Sequence, residues 1–317
     1  MAEVDVLLAA YNGEKFIAEQ LDSIIAQTFK DFRIIIRDDG SSDNTPAIIQ
    51  DYASKYPGII EVVHDDVICR HPAKNFFELM KHTNADYVMF SDQDDFWLEN
   101  KIQITLECMK NAEKNNPGMP VLAFTGLQPV DADLNAINEF VPLDINAPKY
   151  NSLVSMFEEN FVSGCTEMIN KSLYENIGEY DALITMHDWW TALYARACGV
   201  IAYVPRATML YRQHEDNTIG YSDSGGVMFR LKEIISAPFR KISNAGKLFH
   251  ELHERVLLFR SRYADKMMPD KLEQLDNFTG IFTGNIFRRL SFMRKLDYSE
   301  HHNLIENIFL AVKILMY

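Results

Sequence analysis

The sequence predicts an α/β protein with a mostly parallel sheet flanked by helices, followed by a C-terminal α-helical module. Apolar, β-branched runs alternate with amphipathic segments over residues 4–114, and polar clusters follow three of the runs. Beyond Gly225 the apolar residues recur at helical spacing, which predicts the module. We therefore place the domains at 1–220 and 221–317, near the Asn-, Ser-, Asp- and Gly-rich stretch from Asp216 to Gly226.

The first part of the chain is predicted as four strands, each followed by a helix. The strands cover Val4 to Ala10, Phe32 to Arg37, Ile59 to His64 and Asp86 to Phe90. The first helix carries the stripe Ile17, Leu21, Ile24 and Ile25, and the second begins near Pro46. The third runs around Asn75 to Lys81, and the fourth runs from Trp97 to about Lys114. Because the carboxyl ends of parallel strands meet at one edge of a sheet, the polar residues after these strands are expected to line one crevice.

The remaining elements are less regular. Strands are predicted at Val121 to Leu127, Val162 to Ile169, Val200 to Val204 and Ala207 to Arg212, with a helix near His187 to Cys198. Two helical stripes mark the module, namely Leu248, Leu252 and Val256, then Leu304, Ile305, Ile308, Phe309 and Val312.

Charge is divided unevenly along the 317 residues, whose net charge is −14. Residues 1–224 carry 35 acidic against 16 basic side chains, and residues 225–317 carry 15 basic against 10 acidic. An acidic body argues against nucleic acid as a partner, since phosphate binding needs clustered Lys and Arg, but suits a cation that in turn binds phosphate. We expect a cytoplasmic protein, because the N-terminus lacks a signal sequence and no apolar window is long enough to span a bilayer. The four separated cysteines are expected to be reduced thiols.

Asp92, Asp94 and Asp95 follow the fourth predicted strand directly. Carboxylates this close repel one another unless a cation or hydrogen-bond donors neutralise them. Mg²⁺ or Mn²⁺ bound by one or two carboxylates and substrate phosphates is a common solution. Alternatively, Asp94 or Asp95 caps a helix that starts at Trp97. The position of the cluster, in line with two other polar strand ends, favours the cation site.

Asp38 and Asp39 end the second predicted strand and precede Gly40. A carboxylate at a strand end accepts hydrogen bonds from a ribose hydroxyl or a base N–H, and glycine permits close backbone approach. The alternative is a turn before a capped helix, which is the better interpretation of residues 41–43.

Six motifs together resemble those of a known enzyme family. They are Ala9-Ala10-Tyr11-Asn12-Gly13, the run from Arg37 to Asp43, Asn75-Phe76-Phe77, Ser91-Asp92-Gln93-Asp94-Asp95, Met186-His187-Asp188-Trp189-Trp190 and Tyr211-Arg212-Gln213-His214. In order and spacing they resemble family 2 glycosyltransferases, and more narrowly the bacterial rhamnosyltransferases of cell-wall rhamnan and O-antigen synthesis. The resemblance covers about Val4 to Asn217.

The resemblance implies a GT-A fold, which is Rossmann-like, and an inverting mechanism with Asp188 as the catalytic base. The implied donor site comprises Ala9, Tyr11, Asn12, Asp38, Asp39, Lys74, Asn75, Asp92, Gln93 and Asp94. The implied cofactor is Mn²⁺ or Mg²⁺, held by Asp92, Asp94 and His214. Imidazole suits Mn²⁺ better, although a lone histidine such as His214 can also be an ordinary surface residue.

On the acceptor side several roles stay open. The candidates are Asp95, Trp97, His187, Trp189 and Trp190. Asp95 either touches the acceptor or caps a helix. The family usually has Glu-Asp where this chain has His187-Asp188, so His187 either orients the acceptor or caps the helix. A tryptophan can stack on a sugar face, but one of Trp189 and Trp190 is expected in the core.

The helical module offers three alternatives. Arg288, Arg289, Arg294 and Lys295 lie among apolar residues, as on a surface that meets anionic headgroups at the inner face of a membrane. The same face can instead be a solvated side of a packed helix, or the apolar stripes can form a homodimer interface.

The resemblance therefore implies transfer of L-rhamnose from dTDP-β-L-rhamnose to a hydroxyl of a lipid-linked saccharide acceptor. The nearest alternative is the same chemistry with UDP-galactose, UDP-glucose or UDP-N-acetylglucosamine. A non-catalytic nucleotide-sugar-binding protein is disfavoured, because every expected carboxylate is present. A nucleotidyltransferase is disfavoured, because the loop from Tyr11 to Glu14 is neither basic nor glycine-rich.

Overall fold

The computed structural model describes residues 2–214 and 238–283, which form two compact units. The first unit contains residues 2–144 and 162–214, and the second contains residues 145–161 and 238–283. The predicted boundary near residue 220 lies outside the described residues. Residues 145–161, which are predicted to lie in the first domain, group with the C-terminal helices.

The first unit is built on one eight-stranded sheet of order β3-β2-β1-β4-β7-β6-β8-β5. Its strands are β1 (Val4–Ala10), β2 (Phe32–Asp38), β3 (Ile60–Val62), β4 (Tyr87–Ser91), β5 (Phe96–Trp97), β6 (Val121–Val130), β7 (Glu167–Asn170) and β8 (Val200–Arg212). Within the described residues, four of the seven strand pairings are parallel, and β7 and β5 supply the three antiparallel ones. This mixed sheet with a parallel majority confirms the predicted fold class.

The helices of the first unit follow the strands much as predicted. They are α1 (Ile17–Ile25), α2 (Thr45–Lys55), α3 (Pro72–Met80), α4 (Lys101–Asn115), α7 (Lys171–Tyr174) and α8 (His187–Cys198). The second unit contains α5 (Pro148–Asn151), α6 (Leu153–Glu158), α9 (Pro238–Tyr263) and α10 (Pro269–Thr283). No helix in the described parts of the chain is long and apolar enough to cross a membrane.

A helix and a strand begin several residues later than predicted, and the strands predicted at 200–204 and 207–212 form the single strand β8. The helix expected from Trp97 begins at Lys101, because Phe96 and Trp97 pair with Leu210 and Met209 of β8 as a short strand. Asn100 stands at the N-terminal cap of α4, so the alternative in which Asp94 or Asp95 caps that helix is excluded. The strand expected over 162–169 is instead a 3₁₀ turn at Gly164–Thr166 followed by β7.

Helix α1 fixes the end of β4 through buried polar side chains. Its apolar face is fully buried, as the stripe Ile17, Leu21 and Ile24 predicts. Gln20 Nε2 donates to Ser91 Oγ at 2.8 Å, and the backbone N–H of Trp97 donates to Ser23 Oγ at 3.0 Å. Because these donors and acceptors are buried, each satisfied pair constrains where residues 91–97 lie.

The second unit has an aromatic core of its own. Phe157 packs edge-on against Phe259 at 5.4 Å, and Phe278 packs edge-on against Phe282 at 5.2 Å between ring centroids. All four rings are buried. The basic cluster at residues 288–295 and the stripe at residues 304–312 lie outside the described residues, so the membrane and dimer alternatives stay predictions.

Candidate active site

The loops after β1 and β2 are tied to each other at the carboxyl edge of the sheet. The backbone N–H of Asn12 donates to Ser41 Oγ, and Asn12 Oδ1 accepts from the N–H of Ser42, both at 2.8 Å. Asn12 has a left-handed backbone with φ of 49°, which asparagine tolerates better than most residues. Asn12 therefore shapes the crevice and is itself exposed to it.

Gln93 clamps the backbone of Tyr11. Its Oε1 accepts from the Tyr11 N–H and its Nε2 donates to the Tyr11 carbonyl, both at 2.8 Å. A side chain at Gly13 would collide with the Gln93 amide, so glycine is required there for space. Tyr11 itself stays 56% exposed. The first and fourth strand ends are thus joined in one wall.

Asp38 and Asp39 have different surroundings. Asp38 is half-buried and accepts from the backbone N–H groups of Gly40 and Ser41 at 3.2 and 3.0 Å. Asp39 is 5% exposed, and its two oxygens accept from the N–H groups of Cys69 and Arg70, each at 2.6 Å. Asp39 therefore holds the 65–70 loop, whereas Asp38 lies nearer the solvent.

A buried arginine links Asp39 to two more residues. Arg37 is 1% exposed and donates to Asp39 Oδ1 at 3.3 Å, to Asn75 Oδ1 at 2.8 Å and to both carboxylate oxygens of Asp65. The Arg37 guanidinium lowers the pKa of Asp65. Asn75 is buried, so any influence on the nucleotide-sugar donor would pass through its hydrogen bond to Arg37. Lys74 and Ala9, two further predicted donor residues, are half-buried on α3 and β1.

His214 and Asp94, two of the three predicted metal ligands, are in contact. His214 Nε2 lies 2.9 Å from Asp94 Oδ2, and both side chains keep some exposure, 13% and 18%. The imidazole also packs on Phe16 with ring centroids 4.9 Å apart. A carboxylate and an imidazole side by side form a donor set that suits a divalent cation.

Arg212 fixes the acidic loop from behind. Its Nε donates to the carbonyl of Asp94 at 2.8 Å, and its backbone N–H donates to Asp95 Oδ1 at 3.2 Å. The guanidinium lies over the ring of Phe16 at 4.5 Å and pairs with Glu19. Because Arg212 is 2% exposed, these bonds are well shielded from water.

Asp92, Asp95 and Cys165 form the inner part of the site. Their ligand atoms lie within 4.8 Å of one another. Burial, with a further contribution from neighbouring carboxylates, raises the pKa of both Asp92 and Asp95. Asp95 Oδ2 is buried without a hydrogen-bond partner among the described residues. Such an arrangement is costly without a cation nearby.

Lys101 is a buried cation beside this cluster. It is fully buried, its Nζ lies 4.8 Å from the centre of the Trp97 ring, and Thr208 Oγ1 is 3.5 Å away. Burial lowers the pKa of Lys101 to about 8, while Cys165 and Asp95 oppose that shift. One positive charge is therefore supplied by the chain itself.

Asp188 sits at the start of α8 beside the acidic cluster. Its Oδ2 accepts from the N–H of Gly164 at 2.9 Å and its Oδ1 from the N–H of Trp189 at 2.6 Å. Burial raises the pKa of Asp188 to about 6, and the two N–H donors oppose that shift. The charge of Asp188 helps to raise the pKa of Asp92, so the two carboxylates share one region. This is a carboxylate that is held in place and poised near neutral pH to take a proton.

The remaining acceptor candidates are mostly in the core. Trp97 and Trp190 are each 1% exposed and His187 is 3% exposed, so none of them offers a surface to an acceptor. His187 does not cap α8 either, because Met186 is at the cap position and makes no side-chain cap bond. Trp189 is half-buried and is the one tryptophan of the three with an accessible face.

Several residues of the site were missed from the sequence. Cys165 and Lys101 carried no local motif, Arg212 stood in the Tyr211-Arg212-Gln213-His214 motif without a predicted role, and Gly164 was taken as the interior of a strand. The signal for Arg212 was its place directly before the Gln213-His214 pair. No signal in the sequence marks Lys101, because a lysine at the start of a helix is ordinarily exposed.

The sequence matches Glycosyl transferase family 2 over residues 5–178. The chain belongs to this family. Among curated relatives of the glycosyltransferase, the dTDP-rhamnosyl transferase RfbG of Shigella flexneri is 34% identical over 229 residues, which are 67% of this chain and 73% of that one. The poly(ribitol-phosphate) beta-glucosyltransferase of Bacillus spizizenii is 25% identical over 249 residues, and the match spans only 36% of it.

Solved glycosyltransferases share the fold. The S. aureus TarS fragment 1-349, solved with UDP-GlcNAc, aligns with a TM-score of 0.58 at 17% identity over 96% of this chain and 77% of that one. The mannosyltransferase PcManGT from Pyrobaculum calidifontis, solved with GDP-Man and Mn²⁺, aligns with a TM-score of 0.53 at 15% identity over 98% of this chain and 79% of that one. The GT-A fold of this glycosyltransferase is thereby confirmed.

Proposed function

We propose that this glycosyltransferase is an inverting rhamnosyltransferase, which moves L-rhamnose from dTDP-β-L-rhamnose onto a hydroxyl of a lipid-linked saccharide. The observation that carries the chemistry is the single restrained carboxylate of Asp188 beside the acidic cluster of Asp92 and Asp94. A single displacement needs one base close to the bound donor diphosphate. In the proposed site Asp188 is that base, and the acidic cluster binds the diphosphate through a cation.

In the proposed reaction the acceptor oxygen attacks the anomeric carbon of the donor sugar. The bond from that carbon to the diphosphate oxygen breaks, dTDP leaves, and the hydroxyl proton passes to Asp188. Attack opposite the leaving group turns a β-linked donor into an α-linked product. The hydrogen bonds from Gly164 and Trp189 hold the carboxylate in position for this proton transfer.

The nucleoside and diphosphate fit the wall formed by the ends of β1, β2 and β4. Tyr11 is exposed there and Asp38 is half-buried, and Gln93 fixes the backbone of Tyr11. Ala9, Asn12 and Lys74 complete the proposed donor site. In our proposal Asp39 and Asn75 support it indirectly, since Arg37 and the 65–70 loop already engage their side chains.

The donor set of the acidic loop fits a divalent cation. Three carboxylates crowd together, Asp95 Oδ2 lacks a hydrogen-bond partner among the described residues, and an imidazole stands beside Asp94. We propose that Asp92, Asp94 and His214 hold Mn²⁺ or Mg²⁺. When bound, such an ion stabilises negative charge on the leaving diphosphate.

The choice of rhamnose and dTDP rests on the 34% identity to a dTDP-rhamnosyl transferase. Neither Tyr11 nor Asp38 separates thymine from uracil by itself, so the donor needs a direct test. The purified protein is titrated in a thermal-shift assay with dTDP-rhamnose, UDP-glucose, UDP-galactose and UDP-N-acetylglucosamine, with and without Mn²⁺. We expect stabilisation by dTDP-rhamnose in Mn²⁺, and a preference for any UDP-sugar would reject the rhamnose assignment.

The base assignment is tested with Asp188→Asn, which preserves shape but cannot take the proton. We expect donor binding close to that of the wild type and loss of transfer by at least about a hundredfold, the lower range for positioned general-base catalysis. Asp133→Asn, at an exposed loop position, is the control and should transfer normally. Undiminished turnover by Asp188→Asn would remove Asp188 from the mechanism.

A further inference from the structure

Gly164 occupies a crowded position beside the proposed base. Its backbone N–H donates to Asp188 Oδ2 at 2.9 Å. A Cβ atom built on Gly164 would lie 2.7 Å from His187 Nε2 and 3.1 Å from Asp188 Cβ, closer than such atoms ordinarily approach. The backbone φ of Gly164 is outside the left-handed region, so its glycine is required for space and not for conformation.

The ring that fills this space is held on its other sides. His187 lies against Phe76 with centroids 3.9 Å apart, and Phe90 meets it edge-on at 4.7 Å. Neither ring nitrogen of His187 has a hydrogen-bond partner among the described residues. Burial lowers the pKa of His187 to about 3, so the ring is uncharged and acts on Gly164 through its volume alone. Since core side chains are close-packed, the ring cannot retreat from an added methyl group without disturbing both phenylalanines.

We infer that Gly164 is a positioning residue for the transfer reaction. Its N–H aims the carboxylate of Asp188, and its missing side chain lets the neutral ring of His187 lie directly beneath the turn. This inference rests on the proposed function, in which Asp188 is the base. Gly164 itself touches neither proton nor substrate and acts only through the carboxylate.

A methyl group at residue 164 would push the 3₁₀ turn away from α8, or α8 away from the turn. Either movement lengthens the bond from the residue 164 N–H to Asp188 and displaces the carboxylate. Asp92, Glu167 and Cys165 are the titratable groups whose charge acts on or is acted on by Asp188. Cys165 belongs to the same 3₁₀ turn and Glu167 follows it, so a change in the pH profile reports the displaced turn together with the lost N–H bond.

The test compares Gly164→Ala with the double variant Gly164→Ala/His187→Ala. For Gly164→Ala we expect kcat to fall about a hundredfold, the scale set by misplacement of about 1 Å, while the donor KM changes by less than about threefold. The acidic limb of its kcat profile should move to higher pH, because a hydrogen bond to the charged form is weakened. The double variant removes the obstructing ring, so its kcat should be at least about tenfold higher than that of Gly164→Ala.

Gly126→Ala is the matched control. Its added methyl group would collide with the half-buried ring of Phe140, so it creates crowding in β6 at a residue that has no role in the proposed site. We expect Gly126→Ala to lower the melting temperature while kcat and its pH profile stay unchanged. An equal loss of kcat in Gly126→Ala would show that general destabilisation explains the loss in Gly164→Ala, and it would overturn the inference.

Two further outcomes would overturn the inference. The first is wild-type kcat in Gly164→Ala, and the second is a folded double variant no better than the single one. If Gly164→Ala yields no folded protein, the double variant must restore folding, and its failure to do so counts against the inference. Asp188→Asn distinguishes failure of the base assignment from failure of the inference. An active Asp188→Asn rejects Asp188 as the base in the proposed function, whereas an inactive Asp188→Asn with a fully active Gly164→Ala rejects only the role of Gly164.

Discussion

His214 Nε2 lies 2.9 Å from Asp94 Oδ2, although 120 positions separate the two residues in the chain. The contact exists because β8 runs beside β5, so that the residues after the end of β8 reach the loop that follows β4. Arg212, two residues earlier, bonds the carbonyl of Asp94 and fixes the loop from the same side. The proposed metal site would thus be completed by His214, which follows β8, a strand far from β4 in the chain.

Replacement of His214 by alanine should weaken Mn²⁺ binding, so that transfer requires a higher Mn²⁺ concentration. Loss of a ligand should raise the half-saturating Mn²⁺ concentration by at least about tenfold, because even outer-shell partners of metal ligands are worth that much. The measurement is transfer rate against Mn²⁺ concentration at saturating donor. His82→Ala removes an exposed histidine elsewhere and is the control. An unchanged Mn²⁺ dependence in folded His214→Ala would exclude His214 as a ligand.

Replacement of Gln93 by glutamate should weaken donor binding while changing turnover little. The carboxylate still accepts from the Tyr11 N–H but faces the Tyr11 carbonyl, which loses its donor. Repulsion between the new carboxylate and the Tyr11 carbonyl displaces the backbone at Tyr11, so the donor Kd should rise about tenfold, which is about 1.4 kcal/mol. Calorimetric titration with the donor nucleotide measures it, with Gln50→Glu on the exposed face of α2 as control. Wild-type donor affinity in Gln93→Glu would show that the clamp does not shape the donor site.

The sequence predicts those parts of the structure that depend on local pattern. The β-branched run of β2 and the stripe of α1 each identify their element, because burial of one face needs that periodicity. The start of α4 was misplaced because Phe96 and Trp97 pair with β8, more than 110 residues away, and local propensity carries no trace of that pairing.

In the candidate site, too, local sequence pattern predicts some features and tertiary packing determines the others. Carboxylates at strand ends identify the crevice, but Asp38 and Asp39 are indistinguishable in sequence. Only the fold reveals that Asp39 holds two backbone N–H groups of the 65–70 loop. Cys165 and Lys101 join the acidic cluster by tertiary packing, so no spacing along the chain could have indicated them.

Replacement of Asp39 by asparagine should destabilise the whole first unit. The amide cannot accept from both the Cys69 and Arg70 N–H groups, and it leaves the buried Arg37 with less countercharge. Breaking a buried pair of this kind costs about 3–5 kcal/mol of unfolding free energy. Urea denaturation measures the loss. Glu61→Gln breaks the half-exposed pair with Arg33 and should cost at most about 1 kcal/mol. Equal losses in the two variants would contradict the structural role of Asp39.

Transfer activity should fall as the pH drops through about 6. Burial raises the pKa of Asp188 to about 6, and a base must be ionised to accept the hydroxyl proton, so the active fraction decreases on the acidic side of that value. Below it, kcat should fall about tenfold per pH unit, because a single proton inactivates the base. The profile is measured between pH 5 and 8 at saturating donor and Mn²⁺, so that protonation of Asp92 does not enter through donor or metal binding. A kcat that stays constant down to pH 5 would mean that Asp188 does not accept the proton in the rate-limiting step.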